Sequence, residues 1–294
     1  MAIILSHDNL KLTCELAGER YRSSRFDWNG LVSSARWKGI ELLGEEKPLF
    51  QRDPSRFGRA LHNEFGIKTC IGYDEVAVGQ WFPKIGTGWL KKDTKPYFFY
   101  NEYQMEALSF TADHDGANAL IFSCLSGERN GYAYEYQKRI SLADKGFAIT
   151  YTLTNTGERP LQTDEYVHNF LCFAGKRMDR GYKLSFPWVI NESLLGEKVN
   201  PDKALALSGN TVECIRKTSK QFYLGGLSNG HASPSALWTL SHDGLGISLS
   251  EAGSFVPSAV HLWGWKRVIS PEVFFSFSIA RGETVSWERR YSVT

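Results

Sequence analysis

The feature that most constrains this chain is a two-residue alternation of apolar and polar side chains. Residues 147–154 alternate large apolar with small or polar residues, and the alternation stops at the turn sequence Asn-Thr-Gly at 155–157. Tyr132, Tyr134 and Tyr136 mark another such run. This period is that of a β-strand with one buried face. Because no amphipathic helical pattern of ten residues or more accompanies it, the chain is predicted to be all-β.

Turn signals divide the alternating runs into candidate hairpins. Residues 236–250 contain two apolar runs on either side of Asp243-Gly244, a dipeptide typical of tight hairpin turns. The C-terminus has the same pattern, with one run at 275–279, a turn at 281–283 and a second run at 285–289. We therefore predict a hairpin in each place.

The length and organisation of the chain favour a single unit. The sequence has 294 residues, and no low-complexity linker, charge run or exact internal repeat divides it. All-β sandwiches often exceed 200 residues as single domains. Residues 1–294 are therefore expected to form one domain, built from two large packed antiparallel sheets.

The charge balance argues against a nucleic-acid partner. The formal net charge is +2, from 34 basic and 32 acidic residues that are interspersed along the chain. Short basic clusters such as Lys91-Lys92 and Arg289-Arg290 are too small for an electrostatic footprint on a phosphate backbone.

The sequence also favours a cytoplasmic protein without a membrane partner. The N-terminus lacks the basic and long apolar regions of a signal peptide. No apolar stretch reaches the roughly 18 residues that a spanning helix needs. The cysteines are odd in number and widely spaced, which favours reduced, buried thiols. They are Cys14, Cys70, Cys124, Cys172 and Cys214.

Two ionisable residues stand out within aromatic, strand-like runs. His168 lies in the run 164–173, and Glu272 lies in the run 268–277. Such groups are costly to hold in charged form among apolar neighbours unless they have a partner or a role. On facing strands they would form an acid/base couple. Taken singly, each has an ordinary alternative: a buried core histidine, and a solvated glutamate at a strand start.

Strand parity places Glu272 on a polar face. It shares that face with Phe274, Ser276 and Ser278, while residues 273, 275, 277 and 279 are all apolar. The carboxyl group is therefore expected to point away from the core. His168 shares a face with aromatic and thiol side chains, so its strand is expected to be buried on both sides.

Several stretches form an ordered series from about residue 20 to the end of the sequence. They are Arg25-Phe-Asp-Trp-Asn-Gly30, Phe57-Gly-Arg-Ala-Leu-His-Asn63, Thr154-Asn-Thr-Gly157, His168-Asn169, Asp243, Trp263 and Pro271-Glu272. In their order and spacing these stretches resemble the galactose mutarotase-like superfamily of aldose 1-epimerases.

The resemblance implies a β-supersandwich fold and a defined chemistry. The family interconverts the α and β anomers of a sugar by opening and closing its ring. On this basis Glu272 is the base and His168 the acid, and no cofactor or metal is required. We expect the two groups to face each other from opposite sides of one cavity the size of a pyranose.

Four further residues are candidates for substrate binding: Arg59, His62, Asp243 and Trp263. The resemblance places Arg59 at the sugar, although it is equally suited to pairing with a carboxylate such as Glu64. It gives Asp243 a role in binding sugar hydroxyls, although Asp-Gly also suits an ordinary tight turn. Trp263 is either a stacking platform for a sugar ring or a core residue.

One departure from the family concerns a second histidine. The better-known epimerases carry it after the arginine motif, but no histidine occurs here between His62 and His114. His62, Lys84 or Tyr97 is a candidate for the missing polar role, and the sequence leaves the choice open.

We therefore predict an aldose 1-epimerase-like enzyme acting on a hexose or modified hexose. The substrate is a monosaccharide or a sugar phosphate, the latter because a phosphate would suit the cations Arg59, Lys84, Lys91 and Lys92. The alternatives are a non-catalytic carbohydrate-binding protein and a lyase or glycosidase on the same fold. A glycosidase would need a second carboxylate opposite Glu272; the candidates are Asp243, Asp164 and Glu165. The sequence does not indicate an oligomeric state.

Overall fold

The computed structural model describes residues 2–47, 53, 55–68, 70–228 and 236–294. In chain order its strands are β1 (Ile3–His7), β2 (Leu10–Glu15), β3 (Leu31–Trp37), β4 (Ile40–Glu41), β5 (Leu61–Phe65), β6 (Trp81–Lys84), β7 (Gly88–Lys91), β8 (Met105–Ala107), β9 (Ser109–His114), β10 (Ala119–Leu125), β11 (Tyr134–Ala143), β12 (Gly146–Asn155), β13 (Leu161–Asn169), β14 (Tyr182–Ser185), β15 (Glu197–Val199), β16 (Leu205–Ser208), β17 (Thr211–Cys214), β18 (Phe222–Gly225), β19 (Trp238–His242), β20 (Ile247–Gly253), β21 (Ala259–Trp265), β22 (Val268–Ile279) and β23 (Thr284–Val293). Within these described ranges three short 3-10 turns lie between the strands, at Phe173–Gly175, Glu192–Leu194 and Asp243–Leu245.

Two large antiparallel sheets contain most of these strands. The first, called the site sheet below, has the order β1-β2-β3-β5-β13-β22-β21-β18-β15, with β4 paired to β3. The second sheet has the order β16-β17-β14-β19-β20-β23-β12-β11-β10-β9. A separate three-stranded sheet is formed by β6, β7 and β8. The predicted all-β sandwich of two large packed antiparallel sheets is confirmed.

The local patterns predict individual strands well, with one exception. The run 147–154 falls within β12, and β19 pairs with β20 across the turn at Asp243–Leu245, as predicted. The prediction of a C-terminal hairpin is wrong. Strand β22 pairs with β13 and β21 in the site sheet, whereas β23 pairs with β12 and β20 in the second sheet. The turn at 281–283 therefore carries the chain from one sheet to the other.

The core lies between the facing surfaces of the two sheets and is rich in aromatic rings. Trp287 of the second sheet stacks on Tyr151 with ring centroids 4.8 Å apart, and its ring is tilted against those of Phe275 and Phe277 of the site sheet. Residues 273, 275, 277 and 279 of β22 thus face inward, which leaves Glu272 on the outer face as strand parity predicts.

A buried ion-pair triad crosses this core. Arg289 is completely buried, and its two terminal nitrogens each lie 2.7 Å from a carboxylate oxygen, one of Glu165 and one of Glu251. Glu165 belongs to the site sheet and Arg289 to the second sheet, so the triad joins the two layers. Arg289 is therefore not part of a surface basic cluster with Arg290.

Replacing Arg289 by Met is expected to destabilise the fold by about 3–5 kcal/mol, because two buried carboxylates would lose their charge partner. Urea unfolding followed by circular dichroism measures the loss. The matched control is Arg290→Met: Arg290 is 58% exposed and pairs with Glu288 on the surface. Its free energy of unfolding should change by less than about 0.5 kcal/mol. Equal effects of the two substitutions would contradict this account of the core.

All five cysteines are buried and free. Among the described residues no helix is long and apolar enough to cross a membrane.

Candidate active site

The two faces of β13 have different surroundings. Glu165 and Asn169 point inward, where they bind Arg289 and Tyr291 of the second sheet. Tyr166 and His168 alternate with them, so they lie on the outer face of the site sheet. The candidate site is therefore built on the side of the site sheet that faces away from the second sheet.

A row of four titratable side chains crosses this outer face. His62 on β5 lies directly opposite His168 on β13, and His261 on β21 lies directly opposite Glu272 on β22. Strands β13 and β22 run antiparallel, with Leu161 opposite Ile279 and Glu165 opposite Phe275. Further along, Leu171 lies opposite Ile269 in the same register. The same register places His168 opposite Glu272. The order across the four strands is His62, His168, Glu272, His261.

A proline interrupts the backbone hydrogen bonds between the two central strands, β13 and β22. Leu171 and Ile269 exchange both backbone hydrogen bonds, so the next hydrogen-bonding pair along the ladder is Asn169 with Pro271. Pro271 has no N–H to donate, and the side-chain amide of Asn169 donates to its carbonyl at 2.7 Å instead. His168 and Glu272 then occupy a non-hydrogen-bonded position, where opposed side chains lie closest.

The catalytic candidates touch each other. Nε2 of His168 lies 3.4 Å from Oε1 of Glu272, and the two residues are only 4% and 5% exposed. The expectation that they stand on opposite sides of a pyranose-sized cavity is therefore wrong. They are cross-strand neighbours on one wall. The imidazole is stacked flat on Phe170, with centroids 4.0 Å apart, and Trp263 meets it edgewise at 4.9 Å.

Burial removes the charge from both groups. It lowers the pKa of His168 well below its usual value, and the nearby positive charge of Arg25 adds to the effect. Burial raises the pKa of Glu272 to about 8, opposed by Arg25 and assisted by the negative charge of Glu64. At neutral pH the pair is therefore a carboxylic acid beside a neutral imidazole.

Of the three candidates for the missing polar role, His62 is the one that lies in this row, opposite His168. It is 1% exposed, and neither ring nitrogen has a hydrogen-bond partner among the described residues. Tyr21 and Phe26 pack edgewise against its ring, at 4.8 and 4.6 Å. The other two candidates bind one another: Nζ of Lys84 donates to Tyr97 Oη at 3.1 Å and to a backbone carbonyl at 2.6 Å.

Several buried polar atoms on this face have no partner within the described part of the chain. A buried polar group without a hydrogen bond costs free energy, so such atoms are rare and need an explanation. Their concentration on one face is what a site built for a polar ligand would show. They are both ring nitrogens of His62, Nδ1 of His168 and Oε1 of Glu64.

An arginine from a loop completes the site. Nε of Arg25 donates to Glu64 at 2.8 Å and its Nη2 donates to Tyr166 Oη at 3.1 Å, while the Tyr166 hydroxyl donates to the same Glu64 oxygen at 2.6 Å. The guanidinium lies 4.4 Å from the ring centroids of both Phe26 and Phe99. Arg25 is thus held firmly beside Glu64 and Tyr166, and its charge acts on both His168 and Glu272.

Arg59 and Asp243 are placed differently. Arg59 is buried in an ion pair with Glu15, rather than with Glu64. Asp243 is exposed in the turn between β19 and β20 of the second sheet, so the structure does not bring it to the row. Trp263 is half-buried and contacts His168, as a wall of the site would.

Three of the four cations considered for a phosphate, Arg59, Lys84 and Lys92, bind other groups, and the fourth, Lys91, lies 5.8 Å from the ring centroid of Trp81 in the separate three-stranded sheet. Lys84 binds Tyr97 and a backbone carbonyl, and Lys92 donates to the carbonyls of Tyr73 and Val76. They do not surround the pair.

The carboxylates considered as glycosidase partners also lie apart from Glu272. Glu165 faces the core, and Asp164 lies four residues from His168 along β13. The residues that the structure describes include no group of three or more His, Cys, Asp or Glu side chains arranged to hold a metal ion.

The arrangement of strands is shared with solved structures across the whole chain. A galactose mutarotase-like protein from Lactobacillus casei ATCC 334 matches with a TM-score of 0.56 at 13% identity, covering 100% of both chains. A galactose mutarotase related enzyme from Lactobacillus acidophilus matches at 0.58 and 10% identity, covering 100% of this chain and 97% of that one. An aldose epimerase homologue from C. elegans matches at 0.53 and 11% identity, covering 100% and 98%.

The chain has the galactose mutarotase-like fold. No family model matches the sequence, and no curated protein matches it either. The resemblance seen in the sequence is thus confirmed at the level of the fold.

Four residues of this candidate site are absent from the sequence-based set. Glu64 and Tyr166 had a signal, because each lies two residues from a site histidine on the same strand face. His261 is recognised only from its register with Glu272. Its Nδ1 accepts a hydrogen bond from the Gly226 N–H at 3.0 Å, and burial lowers its pKa to about 4. Arg25 lies in a loop and had no periodic signal.

Proposed function

We propose that this protein is an aldose 1-epimerase that interconverts the anomers of an uncharged hexose or modified hexose. The observation that carries the proposal is the contact between His168 and Glu272, a neutral acid/base couple on a face with unpartnered polar atoms. The mutarotase-like fold agrees with it. We also propose a cytoplasmic location, which the free and buried cysteines support.

The contact geometry suits the reaction. Ring opening removes a proton from the C1 hydroxyl and places one on the ring oxygen. Both oxygens are bonded to C1, so two groups in mutual contact can reach both at once. A couple on one wall therefore serves as well as a couple facing across a cavity.

The neutral resting state assigns a direction to the proton transfers. The His168 imidazole takes the proton of the C1 hydroxyl while the Glu272 carboxyl protonates the ring oxygen, and the bond from C1 to the ring oxygen breaks. This leaves an open-chain aldehyde with imidazolium and carboxylate side by side. Rotation about C1–C2 and the reverse transfers close the ring on the other face of C1. The initial roles are the reverse of those that the family resemblance implies.

A sugar reaches the couple only when covering side chains move, since both residues are almost fully buried. Trp263 is half-buried and is the most exposed of the rings that contact His168, so this side offers the shortest path. Its indole then becomes a surface on which the apolar face of a sugar ring can stack.

The test is proton exchange between anomers, measured by NMR on hexoses, pentoses and hexose 6-phosphates. We expect exchange faster than the uncatalysed rate for at least one unphosphorylated sugar. Hexose 6-phosphates should be poorer substrates, because three of the four candidate cations bind other groups and Lys91 lies in the separate three-stranded sheet. Sugar binding without faster exchange would favour the carbohydrate-binding alternative, and the absence of both would refute the proposal.

A further inference from the structure

We infer that Glu64 is a substrate-binding residue whose Oε1 accepts a hydrogen bond from a sugar hydroxyl. The inference rests on the proposed function and extends it to a specific contact. Glu64 is completely buried, and its two oxygens have different surroundings. Oε2 accepts hydrogen bonds from Arg25 at 2.8 Å and from Tyr166 at 2.6 Å, whereas Oε1 has no hydrogen-bond partner among the described residues.

The unpartnered oxygen points to a ligand. A carboxylate is an acceptor with two oxygens, and burying one without a donor costs its full desolvation. A purely structural Glu64 would be better served by donors on both oxygens. A sugar hydroxyl supplies the missing donor, and the resulting bond to a charged acceptor is stronger than one between neutral groups.

The position of Glu64 matches that role. It lies opposite Tyr166 in the β5–β13 register, one row along the outer face from His62 and His168. Its negative charge reaches Glu272 strongly enough to help raise the pKa of that carboxyl group. Glu64 and the catalytic couple therefore share one poorly solvated site.

Arg25 and Tyr166 fix the carboxylate in place. The guanidinium lies 4.4 Å from the ring centroids of both Phe26 and Phe99, so it has little freedom to swing away. Its charge offsets that of Glu64. The contact thus suits an uncharged donor such as a hydroxyl, while an anionic substituent would be repelled by the carboxylate oxygen.

The test combines Glu64→Gln with a series of deoxy sugars derived from a substrate that the wild type accepts. Glu64→Gln should lower kcat/KM for that substrate by about 10- to 100-fold, mostly through KM, because a hydrogen bond to a charged group is lost. One deoxy sugar should show a similar loss with the wild type. The variant should not discriminate further against it, since the same contact is already missing.

Controls separate binding from folding. Glu213→Gln removes a surface carboxylate of the second sheet that pairs with Lys183, and it should leave kcat/KM unchanged. Because Glu64→Gln leaves the Arg25 charge without its partner, the double variant Arg25→Gln/Glu64→Gln restores neutrality. Thermal unfolding followed by circular dichroism reports on the fold in each case. The double variant should fold and retain the deficit in KM.

Two results would overturn the inference. One is a folded Glu64→Gln variant with wild-type kcat/KM. The other is a deoxy series in which, for every sugar, the loss of kcat/KM from the missing hydroxyl and the loss from the substitution are additive. Should the wild type fail to accelerate anomer exchange, the proposed function fails alone. Sugar titration followed by NMR then decides: weaker binding to Glu64→Gln supports the contact, and unchanged binding overturns it.

Discussion

Replacing Glu272 by Gln is expected to lower the rate of anomer exchange by about 10²- to 10⁴-fold, which is the usual contribution of a positioned acid or base. An amide of the same shape neither donates nor accepts the transferred proton. His168→Asn should have an effect of similar size. In each variant one of the two coupled proton transfers, from the C1 hydroxyl or to the ring oxygen, loses its side chain.

The double variant tests whether the two groups act together. Because they touch at 3.4 Å and their two proton transfers belong to one ring-opening step, the combined loss should be close to that of either single change rather than their product. His114→Asn, at the exposed end of β9 in the second sheet, is the matched control and should retain full activity. Measurements use NMR exchange at several enzyme concentrations. Folded single variants that keep the wild-type rate would remove both residues from the mechanism.

The sequence predicts individual strands better than their partners. A two-residue period reports which side of a strand is buried, and burial is the main stabilising force, so residues 147–154 fall within β12 and Glu272 faces outward. The turn at 281–283 shows only that the chain reverses. Strand β23 could pair with β22 in the site sheet or cross to the second sheet. The choice depends on which of the two sheets places Trp287 in the core. That is a tertiary property.

In the candidate site, too, local sequence signals identify single residues, whereas their contacts depend on tertiary structure. His168 and Glu272 were recognisable because each is a lone ionisable group in an apolar strand, and such groups need a partner. Their direct contact depends on the register of two strands more than 100 residues apart and on the missing N–H of Pro271. Neither effect has a local signature.

Arg25 was beyond local reasoning for another reason. The 15 residues from 16 to 30 contain no strand, so no periodicity indicates which side chains face the site. A connection of this length without secondary structure is uncommon and is often functional, which is the one signal that length alone offers. The role of Arg25 becomes visible only with its contacts to Glu64 and Tyr166.

The burial of the catalytic couple has a consequence for stability that does not depend on finding the substrate. Burial raises the pKa of Glu272 from 4.5 to about 8 in the folded protein. Between these values the folded state holds a proton that the unfolded state has released, so the contribution of Glu272 to stability falls as the pH rises. It is complete below about pH 4.5 and is lost by the time the pH passes about 8.

We therefore expect the free energy of unfolding of the wild type, relative to that of Glu272→Gln, to fall by up to about 5 kcal/mol between pH 4.5 and pH 8, at 1.36 kcal/mol per pKa unit. Gln cannot titrate, so subtracting the variant cancels the contributions of groups that the two proteins share. Above pH 8 the difference should stay level, with the variant the more stable protein. Urea unfolding at half-unit pH steps measures the curve. A difference that is flat across the whole range would mean that Glu272 is solvated in the folded state, and the neutral couple on which the proposed proton transfers depend would not exist.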